Sequence, residues 1–188
     1  VIDPGWDGYK IVSSAKNHDW TINQIWYTHA HFDHIGGAGD VADGMEPKPA
    51  AAIHPKDLDL WKQQGGAPLF GFQINNPGPE PTIMLEPGMQ LSVGEYTFEV
   101  RHAPGHSPGH VMFYCPTEDL MFCGDVIFEH SIGRTDLPGG SYDQLMESIR
   151  TQVLSLPDET RLLTGHGPET TVGKERKNNP FLSEKGYI

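Results

Sequence analysis

The chain has 188 residues, and its 25 Asp and Glu against 13 Lys and Arg give a formal net charge of −12. This length suffices for one domain with a sizeable core, and so acidic a surface excludes nucleic acid as the default partner. Two cysteines are too few for a disulfide scaffold. No run approaches the roughly 18–20 apolar residues of a membrane span. Since no targeting signal is apparent either, we expect a cytoplasmic protein that does not enter a membrane.

The first half of the chain is predicted to mix helices with short strands. In order, we expect a helix over 9–15, strands over 24–28 and 50–54, and a helix from Pro55 to about Gln64. Residues 65–81 are rich in Gly, Pro and Asn and predict a long surface loop. A loop of that length in a compact domain is often functional, for example as the rim of a pocket.

The second half is predicted to be mainly β-structure followed by one clear helix. We expect strands over 82–85, 90–93, 96–102, 110–115, 120–123 and 161–164. Ser141 is predicted to cap a helix whose apolar stripe runs from Leu145 to Leu156, with Pro157 as its stop. The charged run 174–177 is expected to be a solvated helix face. The mixture favours layered α/β packing.

The strongest chemical signal is a dense cluster of metal-ligand residue types directly after the strand over 24–28. In an extended backbone, His29 and His31 point to the same side and can bind one metal ion as a pair. Asp33 and His34 follow as the chain turns, so they can face a different point a few ångströms away. Four such residues in six positions suit two metal ions better than one.

Three further residues can complete two metal sites. His106 lies in a turn between strands, Asp125 follows the strand over 120–123, and His166 follows the last strand. Loops at strand ends commonly converge to form sites. A carboxylate such as that of Asp125 can bridge two cations, which a lone imidazole cannot do. High His with low Cys content indicates imidazole and carboxylate ligands.

At these residues, and in the opening Val-Ile-Asp-Pro-Gly, the sequence resembles the metallo-β-lactamase superfamily over nearly its whole length. The resemblance implies an α/β fold, a four-layer αββα sandwich, with a dinuclear site at the sheet edges. It implies that one metal takes His29, His31 and His106. It further implies that the second metal takes Asp33, His34 and His166, and that Asp125 bridges the two.

Within that superfamily, the Gly165-His166-Gly167 segment, the loop over 132–140 and the segment 179–182 are similar to short glyoxalase II-type thioester hydrolases. The likeness implies a single metallo-β-lactamase-type domain over 1–188. This domain is expected to lack the first strand pair and the C-terminal helical domain that binds glutathione. The expected absence of the helical domain puts glutathione in question as the thiol carrier. The expected absence of the strand pair puts the activity of the chain by itself in question.

The predicted function is hydrolysis of thioesters, such as those of the hydroxyacylglutathione type, by a hydroxide shared between two zinc ions. Iron or manganese could replace zinc, because His and Asp ligands accept all three metals. Asp33 or Asp125 could also orient the attacking water. Arg134 is a candidate contact for a carboxylate of the substrate, although an ion pair with Asp136 that orders the loop is an equal alternative. The sequence does not reveal the oligomeric state.

Other functions are compatible with parts of this pattern. A persulfide dioxygenase of the same superfamily would hold one iron through fewer ligands, and the Gly165-His166-Gly167 segment argues against it. A lactonase or β-lactamase is a further alternative, although zinc β-lactamases commonly place a Cys where this chain has Asp125. A metal-binding module without catalytic activity is the non-enzymatic alternative.

Of the remaining histidines, His102 and His110 flank His106 and are the best candidates to support the metal ligands from behind. Cys123 lies two residues before Asp125, and we interpret it as a buried structural thiol.

Overall fold

The computed structural model describes residues 1–182. These residues form two compact units, one over Val1–Leu85 and one that begins at Glu86. Helices and several sheets are present in the described part of the chain, which confirms the predicted mixed α/β class. The single domain over 1–188 stays a prediction. Across residues 1–182, no helix combines the length and the apolar character that crossing a bilayer requires.

The first unit contains a small parallel sheet with short helices. Its elements are α1 (Gly8–Asn17), β1 (Gln24–Trp26), α2 (Phe32–Ile35), α3 (Ala38–Asp43), β2 (Ala50–Ile53), α4 (Leu58–Lys62) and β3 (Ile83–Met84). Within it, β1 pairs with β2 and β2 with β3, both in parallel. The predicted elements are present to within a few residues, whereas the short helices α2 and α3 were not predicted. The predicted loop begins with 3-10 turns over Gln64–Phe70.

The core of this unit explains the element positions. Ile25, Trp26 and Tyr27 are all buried in succession, as is typical of a parallel strand that is covered on both faces. Val12 and Ala15 of α1 pack into the same cluster and are spaced for one helix face. This packing fixes the end of β1, from which the metal-ligand cluster emerges.

The second unit is built on a larger, mostly antiparallel sheet. Its elements are β4 (Gln90–Val93), β5 (Tyr96–His102), β6 (Val111–Cys115), β7 (Leu120–Gly124), β8 (Ile127–Phe128), β9 (Ser131–Ile132), α5 (Tyr142–Ser148), β10 (Arg161–Thr164), β11 (Thr170–Thr171) and α6 (Val172–Asn178). Six of the described strands form one sheet in the order β11-β10-β7-β6-β5-β4, while β8 and β9 form a separate hairpin.

Strand direction decides which loops of this sheet share an edge. Strand β6 is antiparallel to both β5 and β7, whereas β10 runs parallel to β7. The strands β5, β7 and β10 therefore point the same way, and their carboxyl ends lie at one edge. The predicted residues His106, Asp125 and His166 follow these three ends.

The predicted helix after Ser141 is present but is not uniformly α-helical. The Ser141 hydroxyl accepts a hydrogen bond from the Gln144 amide, as the capping motif predicts. Beyond α5, the backbone continues as a π-helical turn over Ile149–Val153. The predicted apolar stripe nevertheless packs against the core, through the buried residues Leu145, Ile149 and Val153.

The prediction of a solvated face over 174–177 is wrong for one residue. Glu175 is fully buried. Its carboxylate accepts hydrogen bonds from the Thr170 hydroxyl, the His130 amide and the Asn179 side chain, at 2.6, 2.9 and 2.8 Å. Hydrogen-bond donors offset the cost of burying such a carboxylate, and through them Glu175 ties α6 to the neighbouring segments.

Candidate metal centre

The ligand cluster of the first unit is buried and tightly packed. His29, His31 and His34 are all buried. The imidazole centroid of His29 lies 4.8 Å from that of His31 and 4.1 Å from that of His34. His31 is the N-cap of the short helix α2, so the chain turns at this point. The turn brings the His34 ring close to that of His29, although the sequence predicted that His34 would face a different point.

Asp3 organises two of these histidines, a role that the sequence analysis missed. Its carboxylate accepts hydrogen bonds from the Thr28 amide at 2.8 Å, the Thr28 hydroxyl at 2.6 Å and His34 Nδ1 at 2.9 Å. The Thr28 hydroxyl in turn lies 3.0 Å from His29 Nδ1. Asp3 has φ of 42°, an uncommon value for a residue other than glycine.

This network fixes the tautomer of both histidines. The Thr28 hydroxyl gives its proton to Asp3, so it accepts the Nδ1 proton of His29. The carboxylate of Asp3 can only accept, so Nδ1 of His34 also carries a proton. In the neutral imidazoles, Nε2 keeps the lone pair that a metal ion needs.

The backbone and the exposed edge of this cluster are also defined. The buried Asp57 carboxylate accepts a hydrogen bond from the Ala30 amide, between the first two histidines, at 3.1 Å. Asp33 Oδ2 lies 3.9 Å from His34 Nε2, and the Asp33 side chain is partly exposed. Asp33 therefore lies on the open side of the cluster, where a water or a substrate can approach.

The ligand cluster of the second unit meets at the common sheet edge. Thr164 and Gly124 are paired in register, and the Gly165 amide donates to the Gly124 carbonyl at 2.8 Å. Asp125 directly follows Gly124 in the chain, and His166 comes two residues after Thr164. Asp125 Oδ2 lies 3.4 Å from His166 Nε2 and 3.5 Å from His106 Nε2. One oxygen thus faces two imidazole nitrogens.

These distances fit ligands that share metal ions. With bonds of about 2.0–2.2 Å and tetrahedral angles, neighbouring ligand atoms on zinc lie about 3.3–3.5 Å apart. The separations of Asp125 Oδ2 from the two nitrogens match this spacing and exceed an ordinary N–H···O hydrogen bond of about 2.7–3.2 Å. The donor set of two imidazoles around one carboxylate oxygen is therefore suited to metal coordination.

The backbone of the 132–140 loop holds His106 in position. His106 Nδ1 donates to the Arg134 carbonyl at 2.7 Å, and since a carbonyl only accepts, Nε2 retains its lone pair. A lone pair that faces a carboxylate oxygen is repelled unless a cation or a proton lies between them. His110 Nε2 accepts a hydrogen bond from the Asp125 amide at 3.0 Å. This contact agrees with the prediction that His110 supports the candidate metal ligands.

Gly133 explains how the loop comes so close. A Cβ atom at this position would lie 1.9 Å from the Asp125 carbonyl oxygen and 3.3 Å from His106 Nδ1. No side chain fits in that space, so only glycine lets the loop backbone pack against both candidate ligands. This supporting role of the loop was not predicted from the sequence.

The exposed Arg134 side chain forms the ion pair that the sequence left as an alternative. Its guanidinium donates two hydrogen bonds to Asp136, at 2.8 and 2.7 Å. Those hydrogen bonds and the adjacent positive charge hold the pKa of the Asp136 carboxyl at about 2. Substrate binding by Arg134 stays a prediction, and its described contacts order the loop.

Cys123 is a buried thiol within the core of the second unit, as predicted. Burial raises the pKa of this thiol well above its ordinary value. His102 Nε2 lies 3.0 Å from the Pro108 carbonyl, in the turn that carries His106. The metal-ligand role of all seven predicted residues stays a prediction. In the structure, His29, His31, Asp33 and His34 lie together in one unit, and His106, Asp125 and His166 in the other.

Comparison with known proteins places this site in a family. Residues 1–166 match the metallo-beta-lactamase superfamily. The chain therefore belongs to that superfamily, and its curated relatives support a metal-dependent hydrolase. Similar curated proteins are a probable metallo-hydrolase, YqgX of Bacillus subtilis, and the hydroxyacylglutathione hydrolase GloC of Haemophilus influenzae. The first is 37% identical over 97% of this chain and 86% of its own length, the second 35% over 98% and 87%.

Solved structures confirm the predicted fold. The B3 metallo-beta-lactamase BLEG-1 superposes with a TM-score of 0.88 at 39% identity, over 97% of this chain and 87% of its own. The protein TTHA1623 in a di-iron-bound form superposes with a TM-score of 0.87 at 41% identity, over 96% of this chain and 88% of its own. A dinuclear site therefore occurs among structures similar to this chain.

Proposed function

We propose that the two ligand clusters together hold two divalent metal ions. In this proposal, one ion is bound by His29, His31 and His106 and the other by Asp33, His34 and His166, with Asp125 as the bridge. The observation that carries the proposal is the position of a single Asp125 oxygen at ligand spacing from two imidazole nitrogens. The fixed tautomers of His29, His34 and His106 support it, because each presents Nε2 as a donor.

The reaction we propose for this site is the hydrolysis of thioesters. A pair of divalent cations supplies a strong nucleophile from water at neutral pH and polarises the substrate carbonyl. The thiolate of a thioester leaves readily, so no general acid needs to be placed beside it. The 35% identity to a hydroxyacylglutathione hydrolase supports this substrate class.

The residues of the chain contribute position and charge to this reaction. The buried histidines keep the ligand atoms fixed, so little reorganisation accompanies the reaction. The partly exposed Asp33 carboxylate and the Asp125 carboxylate are the groups that can accept a proton from, and so orient, the attacking water. The side chain of His166 is 55% exposed, which leaves its side of the site open to a substrate.

Elemental analysis and a thioester assay test this proposal. We expect two metal ions per chain in the purified protein, with zinc as the proposed metal, although iron is a real competitor because a similar structure holds two irons. Hydrolysis of S-lactoylglutathione should be compared with that of a smaller thioester. One iron per chain together with oxygen consumption on a persulfide would replace the proposal with the dioxygenase alternative.

Ligand variants separate the bridge from the other ligands. Asp125→Ala should lose metal from both positions, whereas His166→Ala should mainly empty one. His18→Ala is a matched control, because His18 is exposed and hydrogen-bonds only locally, to the Ser14 carbonyl at 2.8 Å. Retention of both ions in Asp125→Ala would rule out the bridge.

A β-lactam hydrolase is the second candidate function. Its support is the 39% identity to a B3 metallo-beta-lactamase, which exceeds the identity to the glutathione thioester hydrolase. In thioester hydrolysis and in β-lactam hydrolysis alike, the nucleophile attacks a carbonyl carbon. The same set of metal ligands therefore suits both reactions. Parallel assays with a chromogenic cephalosporin and a thioester decide between them through the ratio of the two kcat/KM values.

A further inference from the structure

An exposed group of aromatic rings lies on the surface of the first unit. We define this aromatic surface as Trp6, Phe32, Phe70 and Phe72. The ring of Phe32 lies 5.8, 5.3 and 5.7 Å from those of Trp6, Phe70 and Phe72, and Trp6 lies 6.2 Å from Phe72. Trp6, Phe70 and Phe72 are 46%, 43% and 53% exposed. Scattered exposed apolar residues are common, but a contiguous group of large rings marks a binding surface.

The loop that carries two of these rings is internally held together. The Gln64 side chain accepts a hydrogen bond from the Ile74 amide at 2.9 Å, which closes the loop at its base. The Phe72 amide donates to the Ala67 carbonyl at 3.0 Å, so the tip is also fixed. The exposure of Phe70 and Phe72 is therefore a property of an ordered loop.

The aromatic surface is continuous with the ligand cluster of the same unit. Phe32, its central ring, stands between His31 and Asp33 in the chain. The base of the loop packs on the same segment, since a Cβ at Gly65 would lie 2.4 Å from both the Ala30 carbonyl oxygen and the Phe32 amide nitrogen. The aromatic surface and the ligand cluster therefore share one backbone segment.

The chemistry of this surface favours an uncharged group. Residues 65–79 contain no Asp, Glu, Lys or Arg. The loop therefore offers no cation to the carboxylates of a peptide-like thiol such as glutathione. Aromatic faces instead bind apolar rings and alkyl chains, through burial and edge-to-face or stacked contacts.

We propose that the aromatic surface is a specificity site that binds an apolar aryl or alkyl substituent of the substrate. This inference rests on the proposed function, because it assigns a substrate class to that site. The enzyme then prefers thioesters with a bulky apolar acyl group to those with a small polar one. Because Phe32 belongs to the same chain segment as His31 and Asp33, we infer that the aromatic surface binds the substrate and not a protein partner.

Paired substrates and variants of one ring test the proposal. KM should be measured for the phenylacetyl and acetyl thioesters of one small uncharged thiol. Loss of one aromatic contact should raise KM for the phenylacetyl thioester by about 3- to 10-fold in Phe72→Ala, while KM for the acetyl thioester stays within about 2-fold. Phe72→Leu, which keeps apolar area, should restore part of the difference. Trp20→Ala is the matched control, since Trp20 is exposed and its ring stacks on His18, which is not part of the aromatic surface.

A binding measurement separates this inference from the proposed function. Calorimetric titration with the thioether analogue of the phenylacetyl thioester should show weaker binding to Phe72→Ala than to the wild type, whether or not hydrolysis occurs. Equal KM ratios and equal binding in wild type and Phe72→Ala would overturn the inference while leaving thioester hydrolysis intact. A wild-type dimer that Phe72→Ala converts to monomer would also overturn it, because the rings would then face a second copy.

Discussion

Replacing Gly133 with alanine tests how the loop over 132–140 supports the candidate metal centre. The added Cβ would lie 1.9 Å from the Asp125 carbonyl oxygen, whereas real Cβ contacts below 3.0 Å are essentially never seen. The backbone of the two segments must therefore separate by at least 1.1 Å, the difference between these distances. The next residue, Arg134, supplies the carbonyl that holds His106 Nδ1 at 2.7 Å. A shift of that size takes this contact beyond hydrogen-bonding distance.

Loss of this contact frees the His106 ring and its tautomer. Removal of such a partner behind a metal ligand lowers metal affinity by about 10–100-fold, and the overpacking lowers the free energy of unfolding by about 1–3 kcal/mol. Metal content after dialysis against a graded series of chelator concentrations measures the first effect. Urea denaturation measures the second, and kcat/KM should fall with the metal content.

Gly88→Ala is the matched control for this variant. Nothing lies within 4 Å of a Cβ at Gly88, although its φ of 81° is unfavourable for alanine. The control should lose stability, by about 1 kcal/mol, and keep its metal. If Gly133→Ala binds metal as tightly as the wild type, the close packing does not position His106 and the reasoning fails.

Three further changes probe other parts of the structure. Asp3→Asn should lower metal affinity by about 10–100-fold with little change in fold, because it removes the acceptor shared by Thr28 and His34; unchanged metal retention under chelator competition would contradict this role. Glu175→Ala should lower the free energy of unfolding in urea by about 3 kcal/mol or more, since it leaves buried donors without their acceptor, whereas exposed Lys177→Ala on the same helix should have little effect. Cys123 should resist a thiol reagent at pH 8 in a Cys115→Ser background until denaturant is added, because burial raises its pKa and leaves it protonated; rapid modification of the native protein would show that the thiol is accessible.

The sequence predicted those features that local patterns encode. The period of two in an extended backbone predicted His29 and His31 on one side, and the apolar stripe after Ser141 located the helix and its cap. The positions of Asp125 and His166 after strands were also readable, because runs of β-branched and aromatic residues mark strands before they pair. Family resemblance, carried by the same motif, predicted the fold that similar structures confirm.

The sequence did not predict the contacts that hold the ligands in place. Asp3 lies 31 residues from His34, and His106 lies 28 residues from Arg134. The contact of His106 is made with a backbone carbonyl, which every residue possesses. The identity of the residue at position 134 therefore could not predict this hydrogen bond. Glu175 looked like part of a charged surface run, and only the packing of α6 against neighbouring loops buried it.

The amino-acid sequence by itself therefore determined the kinds of ligand and their order along the chain, since these depend on residue type and on backbone periodicity. The tertiary structure decided the tautomers of His29, His34 and His106 and the burial of Glu175. It also decided that the ends of β5, β7 and β10 share one edge of the sheet. Those properties arise from strand direction and from hydrogen bonds between distant segments. Such bonds form only when hydrophobic packing has brought the segments together.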